Sequence, residues 1–378
     1  MKAGYYFLAL IMLNALVSSV AGADEPIDAR KLRQLHQQVK AGHQLTPKEQ
    51  AYYGRGKAAR QSGEAPEKST VDAPLAQPAK TSTGLIPLCD MSAGDRYKGQ
   101  DGGLYGAGRN TPPEAHLKAA LAQAASIQPL DAAGKPSSKG KIVLLTHGMS
   151  NTTMESQCFL ELANAEPRKN PAVVLVDGAQ GGIDARKWVN DTHTRRDTSP
   201  WDTLASRLRA AQVTPAQVQV VWMKHALARV GAAEEFPKHA QQLTSDWAEI
   251  IGMLKQRCPN LKLAYLSSRS YAGYASTVLS PEPYAYEGAF AVRWLIQDQI
   301  KSEAASIGAP GTGPVLLWGP YLWADGVKGR KAGDLAYQRE DYGQDGTHPT
   351  TVGRQKVAEQ LLKFFTTDPT AKQWFLEH

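Results

Sequence analysis

The chain is expected to fold as an α/β protein, a three-layer α/β/α sandwich around a five-stranded parallel sheet. Two patterns predict this. Short apolar runs at 142–146, 172–176, 218–223, 261–266 and 315–318 have strand length and little polar alternation, as strands covered on both faces do. Helical apolar spacing follows at 201–211, 240–257, 287–306 and 352–365. Strands alternating with helices, joined by right-handed crossovers, give a doubly wound sheet with helices on each side.

Ahead of that region the chain changes character three times. Met1-Lys2, an apolar stretch over 5–20 and Ala21-Gly22-Ala23 have the order of a secretory signal. Residues 1–23 are therefore expected to be removed near Ala23, giving a periplasmic or extracellular protein whose mature chain has no membrane span. Residues 24–60 form a small helical segment. Leu32, Leu35 and Val39 recur at helical spacing, and Thr46-Pro47-Lys48-Glu49 has the form of a capping box opening a second helix. Residues 61–84, rich in Pro, Ala, Ser and charge, read as a flexible linker. The remainder, 85–378, is one domain whose first part, 85–140, is an N-terminal wrap with an irregular, Gly- and Tyr-rich covering loop over 95–113.

Composition excludes several classes of function. The net charge of +7 is scattered along the chain without an arginine-rich groove pattern, so no nucleic-acid partner is expected. Cys89, Cys158 and Cys258 are an odd set without Cys-x-x-Cys spacing, which allows at most one internal disulfide and argues against a thiolate zinc site. The nine histidines include no His-Glu-x-x-His. No metal and no cofactor are expected.

Chemistry concentrates in two stretches. The first strand runs into His147-Gly148-Met149-Ser150-Asn151, a glycine turn that places a serine where open parallel sheets bind ligands. Near the C-terminus, Asp345-Gly346-Thr347-His348-Pro349 precedes the last helix. Hydrolysis of an ester needs a nucleophile, a base to take its proton and an acid to orient that base. Asp345 and His348, three positions apart on one loop, are spaced so that both side chains face one site.

Together these stretches resemble the SGNH (GDSL-like) hydrolases, over about 141–365. The glycine turn after the second strand adds to the likeness, and Asp-Gly-x-His-Pro is its most specific element. Met149 departs from the usual Gly-Asp-Ser, and Gly148-Met149-Ser150-Asn151 is nearer the Gly-x-Ser-Asn form of some carbohydrate acetylesterases of that superfamily. The resemblance implies a flavodoxin-like sheet, with Ser150 as nucleophile, His348 as general base and then acid, and Asp345 as its orienter. It implies an oxyanion hole of Ser150 and Gly181, or Gly182 by a one-residue shift. The expected third-block Asn is replaced by Lys224 in Trp222-Met223-Lys224-His225. Lys224 is thus a candidate oxyanion donor of different reach and charge, set against a structural role. His225 is read as a packing residue and His147 as a loop histidine.

The segment after the fourth strand offers Arg269, Tyr271, Tyr274 and Glu287 as candidate substrate contacts, the tyrosines for a sugar face and the charged pair for hydroxyls or carboxylates. The expected function is that of a secreted serine esterase removing ester groups, O-acetyl above all, from carbohydrate or cell-envelope glycan. One alternative is a catalytically silent carbohydrate-binding protein of the same fold. Another is an α/β-hydrolase-type esterase or lipase using Ser270, with Asp325 or Asp341 as the acid, in a stretch that lacks both glycines of the nucleophile elbow.

Overall fold

The computed structural model describes residues 35, 38–39, 44–61, 79–192, 197–229, 235–305 and 313–377. The expected signal, residues 1–23, lies outside them, as does most of the expected linker. The chain divides into two units, Met1–Ala73 and Pro74–His378. In the first, helix α1 (Pro47–Gln61) opens with the expected box. The Thr46 N–H donates to Glu49 Oε2 at 2.9 Å, and the Glu49 N–H donates to Thr46 Oγ1 at 3.4 Å. Leu35, Leu45 and Tyr52 form this unit's small buried cluster.

The second unit is built on β1 (Ile142–Gly148), β2 (Val173–Asp177), β3 (Val218–Lys224), β4 (Leu263–Ser267) and β5 (Val315–Trp318). They pair in the order β2-β1-β3-β4-β5, parallel throughout. Alternating side chains face opposite layers. Val143, Leu145, Val221, Met223 and Leu266 pack with α5 (Pro200–Ala210), α6 (Lys238–Arg257) and α7 (Tyr284–Ala305). Ile142, Leu144, Val220, Trp222 and Tyr265 pack with α2 (Glu114–Ala125), α3 (Ser150–Ala165), α8 (Thr351–Thr367) and α9 (Lys372–Phe375). The short α4 (Ala185–Val189) follows β2. The β1–β3 register slips between Val143 and Leu144, so the extra residue, Gln219, is accommodated by a local irregularity. Each fully buried Leu or Phe in these layers contributes about 1.5–3 kcal/mol.

The wrap over 85–140 contains a helix, 114–125, whose Ala120 and Ala124 are buried against the sheet. Its Ala-rich sequence after Pro112-Pro113 is the signal that identifies it. The end of the linker is also fixed: the buried Asp325 carboxylate accepts hydrogen bonds from Ser82 Oγ (2.6 Å), Thr83 N (2.6 Å), Thr83 Oγ1 (2.7 Å) and Gly84 N (3.1 Å). Among the described residues no helix is long and apolar enough to cross a membrane.

The order places β1 beside β3, although β2 follows β1 in sequence. Loops leaving β1 and β3 therefore meet at the carboxyl edge at the topological switch point, where such sheets bind ligands.

Candidate active site

The turn after β1 is shaped by close approach. A Cβ on Gly148 would lie 2.3 Å from the Lys224 carbonyl oxygen and 2.4 Å from Thr152 Oγ1, so only glycine lets β1 and β3 end side by side there. Met149 is extended and caps α3, and Ser150 is the first helical residue. Thr152 Oγ1 donates to the Lys224 carbonyl at 2.7 Å and accepts the Met149 N–H at 3.3 Å. This turn holds Ser150 at the helix N-terminus, where the first N–H groups have no intrahelical acceptor.

Ser150 Oγ lies 2.8 Å from His348 Nε2, and His348 Nδ1 lies 2.6 Å from Asp345 Oδ2. The carboxylate contact assigns the proton to Nδ1, which leaves Nε2 to accept from the serine. The second carboxylate oxygen, Oδ1, accepts the Thr347 and His348 N–H groups, each at 3.0 Å. Burial alone would raise the Asp345 carboxyl, but the bonds from the His348 ring and these N–H groups prevail and hold it below the usual carboxylate range. Side-chain exposure of 31% for His348 and 19% for Asp345 leaves the relay open to a substrate.

The Asp345–His348 loop is clasped from two sides. Asn151 Nδ2 donates to the Thr347 carbonyl at 2.8 Å, tying the loop to the nucleophile helix. The Ser276 N–H donates to the Asp345 carbonyl at 3.0 Å, and the Thr277 and Thr347 hydroxyls meet at 3.0 Å. Gly346 has φ +61°, and a Cβ there would stand 1.8 Å from the Tyr274 carbonyl oxygen. Asn151, Thr152 and Gly346 are supporting residues not singled out from sequence, although Asn151 and Gly346 lie inside the two motifs and Thr152 directly follows the first.

The loop after β2 is exposed at Gly181 and Gly182, with open space over Gly181. Its path is set by cations and by the nucleophile turn. Arg207 Nη1 donates to the Asp177 and Ala179 carbonyls at 2.8 and 2.6 Å, and Lys187 Nζ donates to the Gly182 carbonyl at 2.6 Å. The Gln180 N–H donates to the Gly148 carbonyl at 3.0 Å. A loop so tied presents glycine backbone beside the serine turn.

Of the two roles weighed for Lys224, the structural one has the contacts: its side chain is 0% exposed and its ammonium is bonded to Glu155 on α3. Burial pushes Lys224 down and Glu155 up, and their mutual attraction opposes both shifts.

The four expected substrate contacts are also buried. Arg269 Nη1 donates to the Ser280 carbonyl at 2.8 Å, the Tyr271 hydroxyl to the Lys80 carbonyl at 2.6 Å, and the Tyr274 hydroxyl to the Tyr337 carbonyl at 3.1 Å. Glu287 accepts from Tyr97 at 2.5 Å and Lys98 at 3.0 Å. Arg269 Nη1, the two tyrosine hydroxyls and Glu287 Oε1 are thus bonded within the scaffold. Ser270 is buried as well, and 13 residues separate it from Tyr284 at the start of α7, so it does not sit on a strand-to-helix turn. His348 meets Ser150 instead.

His225 is buried, as a packing residue should be, and His147, read as a loop histidine, lies instead at the end of β1, buried, with its Nδ1 2.8 Å from His225 Nε2. Burial lowers both, His225 to about 3, so the pair is neutral. Cys89, Cys158 and Cys258 are all free thiols. Burial pushes Cys89 and Cys258 up to about 12, which makes them poor nucleophiles. Among the described residues no group of three or more His, Cys, Asp or Glu is arranged to hold a metal.

No protein-family profile and no curated protein matches the chain. Solved structures do. A Bacteroides fragilis protein described as an acylhydrolase is 15% identical, with 67% of this chain and 96% of that one aligned at a TM-score of 0.32. A carbohydrate acetylesterase from Xanthomonas citri is 10% identical over 59% of this chain and 55% of that one, TM-score 0.34. A GDSL-like lipase from Bacteroides thetaiotaomicron is 14% identical over 66% and 95%, TM-score 0.28. At 10–15% identity and TM-scores of 0.28–0.34, these likenesses say nothing of this chain's activity, and what the site does is read from its own geometry.

Proposed function

We propose that this chain is a serine esterase that transfers an acyl group to water through Ser150, His348 and Asp345. The observation that carries the proposal is the continuous, partly exposed relay from Ser150 Oγ to His348 at 2.8 Å and on to Asp345 at 2.6 Å. Ser150 Oγ attacks the ester carbonyl while His348 Nε2 takes its proton. The oxyanion is held by backbone N–H groups of Ser150 and Gly181, helped by the positive end of α3. His348 then protonates the departing alcohol, leaving an acyl-serine. Water, deprotonated by the same imidazole, attacks that ester; the acid leaves and Ser150 recovers its proton. Asp345 keeps the ring oriented and stabilises the imidazolium.

Gly148-Met149-Ser150-Asn151 and the export-like N-terminus favour acetyl groups on a carbohydrate or envelope glycan as substrate. The assembled relay favours an enzyme over a silent binding protein. A panel of aryl acetates, longer acyl esters and acetylated saccharides tests this. Wild type is expected to release acid from at least one class. Ser150→Ala should lose about 10⁴-fold or more of kcat, and Ser270→Ala should keep it within about twofold. Retained turnover in Ser150→Ala, or no turnover by wild type on any ester, overturns the proposal.

A further inference from the structure

Lys224 stands where the SGNH pattern places an oxyanion Asn, yet its ammonium is bonded to Glu155. Residue 224 ends β3 directly opposite Gly148, the last residue of β1. From that place it holds the nucleophile helix twice. Its carbonyl accepts the Thr152 hydroxyl at 2.7 Å in the first turn of α3, and its side chain reaches Glu155 further along the same helix. An Asn side chain is too short for the second contact. Glu155 Oε1 has no hydrogen-bond partner among the described residues, so Lys224 supplies the direct bond to this buried carboxylate. Arg269, also buried, is the second cation acting on Glu155.

We infer that Lys224 is a positioning residue that fixes the setting of helix α3, and hence of Ser150 against His348, by clamping Thr152 and Glu155 to the end of β3. The inference rests on the esterase reading but is separable from it. The clamp works by location rather than by contact with the reacting atoms. Among the described residues, the hydrogen bonds that tie the start of α3 to the His348 loop are those of Asn151 to Thr347 and of Ser150 to His348. With the Lys224 side chain gone, rotation or sliding of α3 is opposed by fewer polar contacts, and a small misplacement of a nucleophile costs rate steeply.

Lys224→Met alone strands a buried carboxylate and is expected to lower stability. The decisive variant is therefore Lys224→Met with Glu155→Leu, in which the ion pair becomes apolar and thermal stability should return to the wild-type range. Its kcat is expected to stay at least tenfold below wild type with KM unchanged. Glu155→Gln, which still accepts from Lys224 but leaves its buried ammonium without a counter-charge, should lower stability while kcat stays within threefold. A double variant that folds and keeps wild-type kcat, or one that cannot fold, makes the pair structural alone and overturns the inference. If wild type turns over no ester, the esterase reading fails. The clamp is then judged on crystals of the double variant, where a Ser150–His348 separation beyond hydrogen-bond range supports it and an unchanged one sinks it.

Discussion

Two corners of the same sheet edge, one after β1 and one after β4, carry similar polar residues and put them to opposite uses. After β1, Ser150 begins a helix, and its partners His348 and Asp345 stay partly exposed. After β4, Arg269, Tyr271 and Tyr274 turn inward and donate to backbone carbonyls. The difference lies in what each segment must satisfy. The β1 turn passes at once into α3, whose own backbone bonds leave the serine free. The 268–283 segment has little regular structure, and its own carbonyls and those of neighbouring loops need donors. Long polar side chains supply them. A polar residue at a strand's carboxyl end is available for chemistry only when the adjoining backbone does not need it.

Breaking the first corner has the largest expected effect. Asp345→Asn should reduce kcat by roughly 10⁴-fold, the size typical of this change in such a triad, with stability readable separately. Because the folded carboxyl is held below its unfolded value, the unfolded chain takes up the proton more readily. The stabilisation from Asp345 is thus fully present above about pH 3.9 and is lost as pH falls towards the folded value. Thermal melts of wild type and Asp345→Asn should therefore converge in acid; a gap that widens there would contradict the sign.

A smaller effect is expected where the two corners touch. Gly346→Ala forces a Cβ against the Tyr274 carbonyl at φ +61°, costing about 1–3 kcal/mol or more of strain. Melting temperature and kcat should fall together, the latter at least tenfold as His348 shifts. An unchanged kcat would mean that the β4 segment does not hold the Asp345–His348 loop. The smallest change belongs to the second corner alone. Tyr271→Phe removes one buried hydrogen bond, about 1 kcal/mol, and should lower the melting temperature by a few degrees without moving KM. A threefold rise in KM would return Tyr271 to the substrate side.

The sheet was legible in sequence because strands buried on both faces are written as unbroken apolar runs. β5 matches its run over 315–318, and the others shift by a residue or two at either end. Asp345 and His348 were legible because a three-residue separation on one loop confines them to one place. The fate of Lys224 was not, since the partner that claims it, Glu155, lies on another element and the pairing exists only once β3 and α3 meet. The tyrosines after β4 failed for the same reason. Their chemistry suits a sugar face or a backbone carbonyl equally, and only three-dimensional neighbours decide.

The bonds from residues 82–84 to Asp325 set a lower limit on how far the protein can be shortened. A chain beginning at Ala79 keeps all four donors to that carboxylate, the Lys80 N–H bond to the Gly273 carbonyl and the Lys80 carbonyl that anchors Tyr271. A chain beginning at Leu85 loses them together. It would strip a buried carboxylate of these donors and loosen the strand of chain laid over the β4 loop, which in turn grips the Asp345–His348 turn. Trimming by proteases would thus become damaging within a few residues past Ala79, although no residue between 79 and 84 takes part in the proposed reaction.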